Sequence, residues 1–294
     1  MLAALGAAAL AGPAASAGNP EVAALQVGLS SRGLYSGTVD GVLGPGTSAA
    51  VRRFQLQAGL PANGVAGAKT RAALGNYSHP APLGRRTLVL GTRGWDVAAL
   101  QFALAWHGFP SGPFDGHLGV RTQAALRRFQ VFAGLEAVGT AGSSTFVALR
   151  EPVPTSPLIL SAPVQGPTGD TFGPRGKRFH SGLDFRVPSG TPVTAAGSGL
   201  VVFAGQQTGG WGKFVVVKHS SGVRTLYAHL SRIDVKLGQR VSSGAMVGLV
   251  GATGGASGPH LHFEVLVRGA AVDPLLALRA RGDARPPRVL RVRP

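Results

Sequence analysis

The sequence predicts a multidomain α + β protein in which two small three-helix bundles precede an all-β antiparallel domain. A block at residues 22–74 returns at residues 97–149 with a constant offset of 75 and no gap, which marks two copies of one folding unit. From residue 163 onward the texture changes to short β-branched runs divided by glycines, as in KFVVVKH and VRTLYAH, the pattern of antiparallel strands. With 294 residues and 44% hydrophobic content the chain can fill two or three real cores.

The elements follow in chain order. Residues 1–17, MLAALGAAALAGPAASA, carry a short apolar run and then Ala15-Ser16-Ala17, the small-x-small pattern of an export signal. The run is too short to span a bilayer, no basic residue precedes it, and the start codon can lie further upstream. Residues 18–77 and 91–150 are the two helical modules. In the first, Val22, Leu25 and Leu29, then Ala50, Val51 and Phe54, recur at helical spacing. Thr47 and Thr122 stand where an N-cap would open the second helix of each copy. Thr70 to Leu74 and Thr145 to Leu149 suggest a third, short helix. Phe54 and Phe129 read as core, and Asp40 and Asp115 as turn-fixing residues or ligand contacts. Residues 151–162 open the run EPVPTSPLILSAPV, whose four prolines forbid a helix and favour an extended spacer. The β unit is expected over 163–277. Residues 278–294 form a basic, proline-interrupted tail, expected to be disordered and able to adhere to anionic polymer.

Composition removes several function classes. Cysteine is absent, so disulfides, a thiol nucleophile and thiolate ligands are excluded, and any metal chemistry falls to His, Asp and Glu. No later stretch is apolar for long enough to be a membrane helix. The 29 Lys and Arg against 12 Asp and Glu, a formal +17, imply a polyanionic partner, although the excess of Arg over Lys beside abundant Ala, Gly and Pro is also what a GC-rich genome produces. No zinc-finger spacing, RRM-type aromatic motif or recognition helix accompanies the charge, so nucleic acid is not expected. For an exported protein the carboxylates and phosphates of a bacterial wall fit better.

The histidines carry the chemistry. In GPHLHFEV, His260 and His262 leave one face of an apolar strand while Leu261 and Phe263 leave the other. Tyr227 and His229 in TLYAHL repeat that period. His180 and Asp184 in HSGLDF, four apart, reach one side of a strand or a helical turn. Three separate segments thus offer four His and one Asp, the donor chemistry of a catalytic zinc.

HSGLD, YAHL and GPHLHFE, in this order, resemble the lysostaphin-type (LytM-like) zinc metallopeptidase family over about residues 163–276. DGVLGPGTSAAVRRFQLQAGL and DGHLGVRTQAALRRFQVFAGL resemble the peptidoglycan-binding module that accompanies many wall-degrading enzymes. The first resemblance implies one Zn²⁺ per catalytic domain, held by His180, Asp184 and His262, with His229 and His260 beside it as catalytic groups. Three protein ligands leave a fourth position for water, whose pKa zinc lowers toward about 7. The two resemblances together imply a secreted, cell-wall-associated peptidoglycan endopeptidase that cleaves stem or cross-bridge peptides. The alternative is a non-catalytic wall-binding or amidase-activating protein of the same fold. Ala256-Ser257 stands where the family usually has Ser-Thr, and Lys213 where it commonly has Asn. In the second module Val138-Gly139 replaces an Asp-Gly, which bears on whether that copy binds wall. Glu264 is expected either to orient a ligand histidine or to lie on a solvated rim. Tyr227 is expected to be a substrate contact or a packed aromatic, and Arg175 to support its loop or meet a substrate carboxylate. His219 reads as a strand-end residue, and His79, His107 and His117 as surface residues.

Overall fold

The computed structural model describes residues 18–75, 82–208 and 210–279. The expected export signal at 1–17, His79, and all but the first two residues of the expected basic tail lie outside them. The first module consists of α1 (Pro20–Ser31), α2 (Pro45–Gln57) and α3 (Ala68–Ala73), the second of α4 (Trp95–Trp106), α5 (Val120–Phe132) and α6 (Ser143–Ala148). The side chain of Asn19 accepts from the backbone N–H groups of Glu21 and Val22, and Pro20 follows where a missing N–H is harmless, so α1 has a complete N-terminal stop signal.

The second helices start differently from the expectation. Their N-cap residues are Gly44 and Gly119, and Thr47 and Thr122 lie inside the first turn, buried. The threonine hydroxyls are turned to another use. Each accepts from a buried glutamine of the preceding helix, Gln26 to Thr47 and Gln101 to Thr122, both at 3.1 Å. The same carboxamides donate to Asp40 and Asp115 at 2.7 and 2.8 Å, and their oxygens accept from the Gly41 and Gly116 N–H groups. Asp40 and Asp115 therefore fix turns. The device recurs one helix later, where Gln55 bonds Asn63, Val65, Thr70 and Gly64. Gln130 does the same with Thr140, Thr145 and Gly139, but Val138 offers no side-chain acceptor where Asn63 did. Four loops are thus locked by four buried amides, which helical periodicity does not single out.

The first module shares its core with α4 of the second, which has a further core of its own around Leu100, Leu126 and Phe129. Ala23, Ala24 and Val27 of α1 pack with Trp95, Ala98, Ala99 and Phe102 of α4 in one buried cluster. A Cβ on Gly28 would sit 2.7 Å from the Trp95 ring, so the helices approach as closely as glycine permits. Every residue of α4 is buried, which agrees with a helix that is apolar nearly all round. His107, expected at the surface, is only 5% exposed and bonds the Leu149 carbonyl at 3.1 Å.

The strands are β1 (Leu160–Ser161), β2 (Gly173–Arg175), β3 (Arg178–His180), β4 (Leu183–Phe185), β5 (Pro192–Thr194), β6 (Gly199–Gln206), β7 (Lys213–Lys218), β8 (Val223–Ala228), β9 (Leu230–Ile233), β10 (Arg240–Val241), β11 (Met246–Val250), β12 (Leu261–Val267), β13 (Ala270–Val272) and β14 (Leu278–Arg279). The main sheet runs β10-β6-β7-β8-β12-β13, with β4 also pairing β12, and β5-β11-β9 form a second sheet. All of these pairings are antiparallel; β1 and β14 form a parallel pair. Leu183, Phe185, Val215, Val217, Tyr227, Leu261 and Phe263 are among the residues that fill the core between the sheets. Leu160 joins that core, so the β unit takes in the last residues of the proline-rich stretch.

That stretch is not what separates helical modules from β unit, because they touch directly. Trp106 meets Phe172 and Phe179 edge-on at centroid distances of 6.2 and 5.3 Å. A Cβ on Gly108, at φ +88°, would lie 2.3 Å from the Ala271 carbonyl oxygen. Val39 and Phe114, equivalent positions of the two repeats, donate their N–H groups to the successive carbonyls of Gly176 and Lys177, at 2.9 and 2.8 Å. Both modules thereby grip the turn between β2 and β3.

The glutamine locks give two stability outcomes. Gln101→Met strands several buried partners and lowers the denaturation free energy of the full chain by about 2–4 kcal/mol. Val138→Asn supplies the missing acceptor and raises it by roughly 0.5–1 kcal/mol. Urea titration reads both; an unchanged midpoint for Gln101→Met contradicts the role given to these amides.

Candidate active site

A cleft of about 800 Å³ opens where β3, β4, the residue after β8 and the start of β12 meet. β4 pairs with β12 so that Asp184 stands opposite His262, and β8 pairs on the other side with Ala228 opposite His262. Directly opposed residues project to the same face of a sheet, so the register alone makes Asp184 and His262 neighbours. Gly182 allows it: a Cβ there would fall 2.4 Å from the Phe263 carbonyl oxygen and 2.9 Å from the His262 ring. β3 delivers His180 from the gripped hairpin.

The three side chains converge. His262 Nδ1 lies 2.9 Å from Asp184 Oδ1, and His180 Nε2 lies 3.0 Å from His262 Nδ1 and 3.2 Å from Asp184 Oδ1. The far nitrogens decide what these atoms carry. His180 Nδ1 is 2.9 Å from the Thr171 carbonyl, which only accepts, so that nitrogen holds the proton. His262 Nε2 faces Glu264 Oε1 at 3.0 Å, and the Ser181 hydroxyl donates to the same carboxylate at 2.6 Å. In the neutral rings, then, two imidazole lone pairs and a carboxylate oxygen point at one spot, an arrangement that calls for a cation. Tetrahedral zinc with donors at about 2.0–2.1 Å places them roughly 3.3 Å apart, close to the spacing here. The donor set and its outer hydrogen bonds fit zinc. In the protein without metal, burial works to raise the Asp184 carboxyl, but hydrogen bonds and charge from His180 and His262 hold it far below its ordinary range. Burial works to lower His262, and the Asp184 and Glu264 carboxylates overcome it, pushing the ring up to about 9. The pocket therefore attracts positive charge.

His229 and His260 flank the cluster with ring centroids 4.6 Å apart. His229 Nδ1 is tied to the Thr253 carbonyl at 2.8 Å and His260 Nδ1 to that of Gly258 at 2.9 Å, which leaves each Nε2 as the free lone pair; that of His260 is 3.9 Å from Asp184 Oδ1. Burial holds His229 below its ordinary value, with the neighbouring rings of His260 and His262 acting in the same direction. The strand period expected for Tyr227 and His229 breaks between them. His229 adopts φ +61°, just past the end of β8, and this turns its ring into the cleft, whereas Tyr227 on the core face is fully buried. Tyr227 is thus a packed aromatic, not a substrate contact.

The remaining candidates also find places. Glu264 is buried against His262 and away from any rim. Arg175 supports its loop by pairing with Asp170 at 2.8 Å. Lys213 bonds the Ser231 carbonyl at 3.0 Å, and Ala256 and Ser257 line the cleft. The sequence assigns no role to Ser181, Thr171, Thr253 or Trp211. Apart from Trp211, which lines the cleft, they act through a hydroxyl or a carbonyl and follow no pattern.

Two histidines and an aspartate on an antiparallel sheet, with two further histidines beside them, make up a candidate metal centre with groups placed for proton transfer. Residues 178–274 match the model of peptidase family M23, and residues 18–74 and 93–149 match that of the "Putative peptidoglycan binding domain". The β unit is thus similar to M23 peptidase domains, and the two helical modules that precede it are similar to peptidoglycan-binding domains. The DD-carboxypeptidase/endopeptidase Mpg of Neisseria meningitidis is 45% identical over 98 residues, 33% of this chain and 22% of that protein. The peptidoglycan DD-endopeptidase ShyA of Vibrio cholerae is 47% identical over 98 residues, 33% of this chain and 23% of its own. This chain spans about a fifth of the length of those curated relatives. The solved catalytic domain of the antimicrobial peptidase lysostaphin from Staphylococcus simulans is 36% identical, with 37% of this chain and 90% of that one covered and a TM-score of 0.35.

His219 supplies a pH test remote from the cleft. Its Nδ1 bonds the Ser198 carbonyl and its Nε2 accepts from the Thr225 hydroxyl at 2.8 Å; Tyr227 donates to Thr225 and accepts from the Ala196 N–H. The donors and acceptors of this chain balance only when the ring is neutral, and burial holds it below its ordinary 6.5. The unfolded chain then binds the extra proton, so this contribution to stability is complete above about pH 6.5 and is lost as pH falls toward the folded value. His219→Gln removes it: unfolding midpoints between pH 7 and 5 fall less steeply than in the wild type, and parallel slopes contradict the neutral network.

Proposed function

We propose that the protein is an exported, wall-associated peptidoglycan hydrolase: a zinc-dependent endopeptidase that cuts peptide bonds in the stem or cross-bridge peptides, with the two helical modules holding it on the polymer. The observation that carries this reading is the convergence of His180 Nε2, His262 Nδ1 and Asp184 Oδ1 on one point, with their outer atoms fixed by Thr171 and Glu264. A zinc ion held there supplies Lewis acidity, which brings amide hydrolysis within reach at neutral pH. The chain's own residues do the rest. His229 and His260, each with Nδ1–H anchored on a carbonyl, turn Nε2 into the cleft, where one can take a proton from the attacking water and one can hydrogen-bond the developing oxyanion or return the proton to the departing amine. A cleft of about 800 Å³ beside these groups supports the reading of a peptide substrate. The direct packing of modules on the β unit supports a fixed reach from anchored wall to cleft, which raises local substrate concentration without changing the chemistry.

The purified full chain is expected to bind one zinc and to release new amines from isolated wall in a chelator-sensitive reaction. His262→Ala abolishes both while the protein still sediments with wall. A folded His262→Ala chain that cleaves wall as fast as the wild type overturns the ligand assignment. Glu264→Gln weakens zinc affinity by about 10–100-fold, measured by competition with a chromogenic chelator, because it weakens the acceptor of the His262 Nε2–H.

A further inference from the structure

The β2–β3 hairpin places Arg175 directly opposite Arg178, and both line the mouth of the cleft together with Arg186. Like charges in direct opposition across a strand pair are destabilising. One rim carboxylate answers them, and it is committed: Asp170 takes Arg175 at 2.8 Å and lies 3.7 Å from Arg186. Arg175 also reaches Asp184 at 3.8 Å. Arg178 is exposed and, among the described residues, has no carboxylate within ion-pair distance. It lies two residues before His180 on the same face of β3, so its guanidinium opens onto the cleft that holds the candidate metal ligands. Its backbone is not free to drift, because Val39 and Phe114 hold the adjoining turn at Gly176 and Lys177. An uncompensated guanidinium on a held backbone beside a reaction centre is suited to receive a planar anion.

We propose that Arg178 is the specificity determinant of this cleft and that the substrate bears a free carboxylate on a residue flanking the scissile amide. The proposal rests on the peptidase reading above and narrows it, favouring an acidic stem-peptide cross-link over an uncharged glycine bridge.

The test uses the zinc-loaded full chain and two soluble cross-linked peptides that differ only in whether the flanking residue carries a carboxylate or a carboxamide. The wild type cleaves the acid with a kcat/KM about tenfold above that of the amide. That ratio falls toward one in Arg178→Gln and at 0.5 M salt, where the Debye length is about 4 Å. Arg240→Gln, an exposed arginine of β10 outside the cleft, keeps the wild-type ratio and so separates a local contact from the general field of a +17 chain. Equal cleavage of both peptides by the wild type, or an unchanged ratio in Arg178→Gln, overturns the proposal and leaves the peptidase reading standing. If the wild type cleaves neither peptide and releases no amines from wall, the peptidase reading falls and the proposal falls with it.

Discussion

The register of β4 against β12 is the constraint on which the site depends. With Asp184 opposite His262, a carboxylate and an imidazole lone pair meet on the cleft face of the sheet, and His180 needs only the short turn through Ser181 and Gly182 to complete the set. A slip of one residue would send His262 into the core and Phe263 into the cleft. The apolar side of the same strands resists that slip, because Leu261, Phe263 and Tyr227 are buried between the sheets. Hydrophobic burial, which has no chemistry of its own, thus fixes where the polar groups point.

The hairpin of β2 and β3 links this centre to the helical modules. It carries His180 at one end, Arg175 and Arg178 beside its turn, and Phe179 packed on Trp106. Equivalent residues of the two repeats bond its two turn carbonyls, so duplication of the module yields a two-point grip that a single copy would not provide. The helical modules, which match the peptidoglycan-binding domain model, are therefore also part of the frame around the cleft. The close approach of Gly28 to Trp95 and of Gly108 to Ala271 makes the assembly one packed body over these contacts.

Much of this was legible in the sequence, for identifiable reasons. The fixed offset of 75 exposes the repeats, and strand alternation in HLHFEV sorts His262 from Phe263 without any structure. The spacing in HSGLD puts His180 and Asp184 on one side of a strand or a helical turn, whereas the two lie on successive strands joined by the turn through Ser181 and Gly182. Other features leave no trace in a periodicity. The turn of His229 into the cleft comes from a left-handed backbone at a non-glycine residue, which no pattern announces. Gln26, Gln55, Gln101 and Gln130 follow no pattern, although each is the hub of a loop; their meaning lies in partners eight or more residues away. His107 is hidden because the module's neighbours cover it, and Thr47 and Thr122 misled because a helix-starting residue and a buried hydroxyl acceptor look alike in a string of letters.

The proposed metal centre is most directly tested by diffraction from crystals of the zinc-loaded full chain, with data on both sides of the zinc absorption edge. The account predicts one anomalous peak among His180 Nε2, Asp184 Oδ1 and His262 Nδ1, with Glu264 bonded to the outer nitrogen of His262 and His229 and His260 outside bonding distance. A peak ligated by His229 or His260 in place of these residues, or none in the cleft, would contradict it.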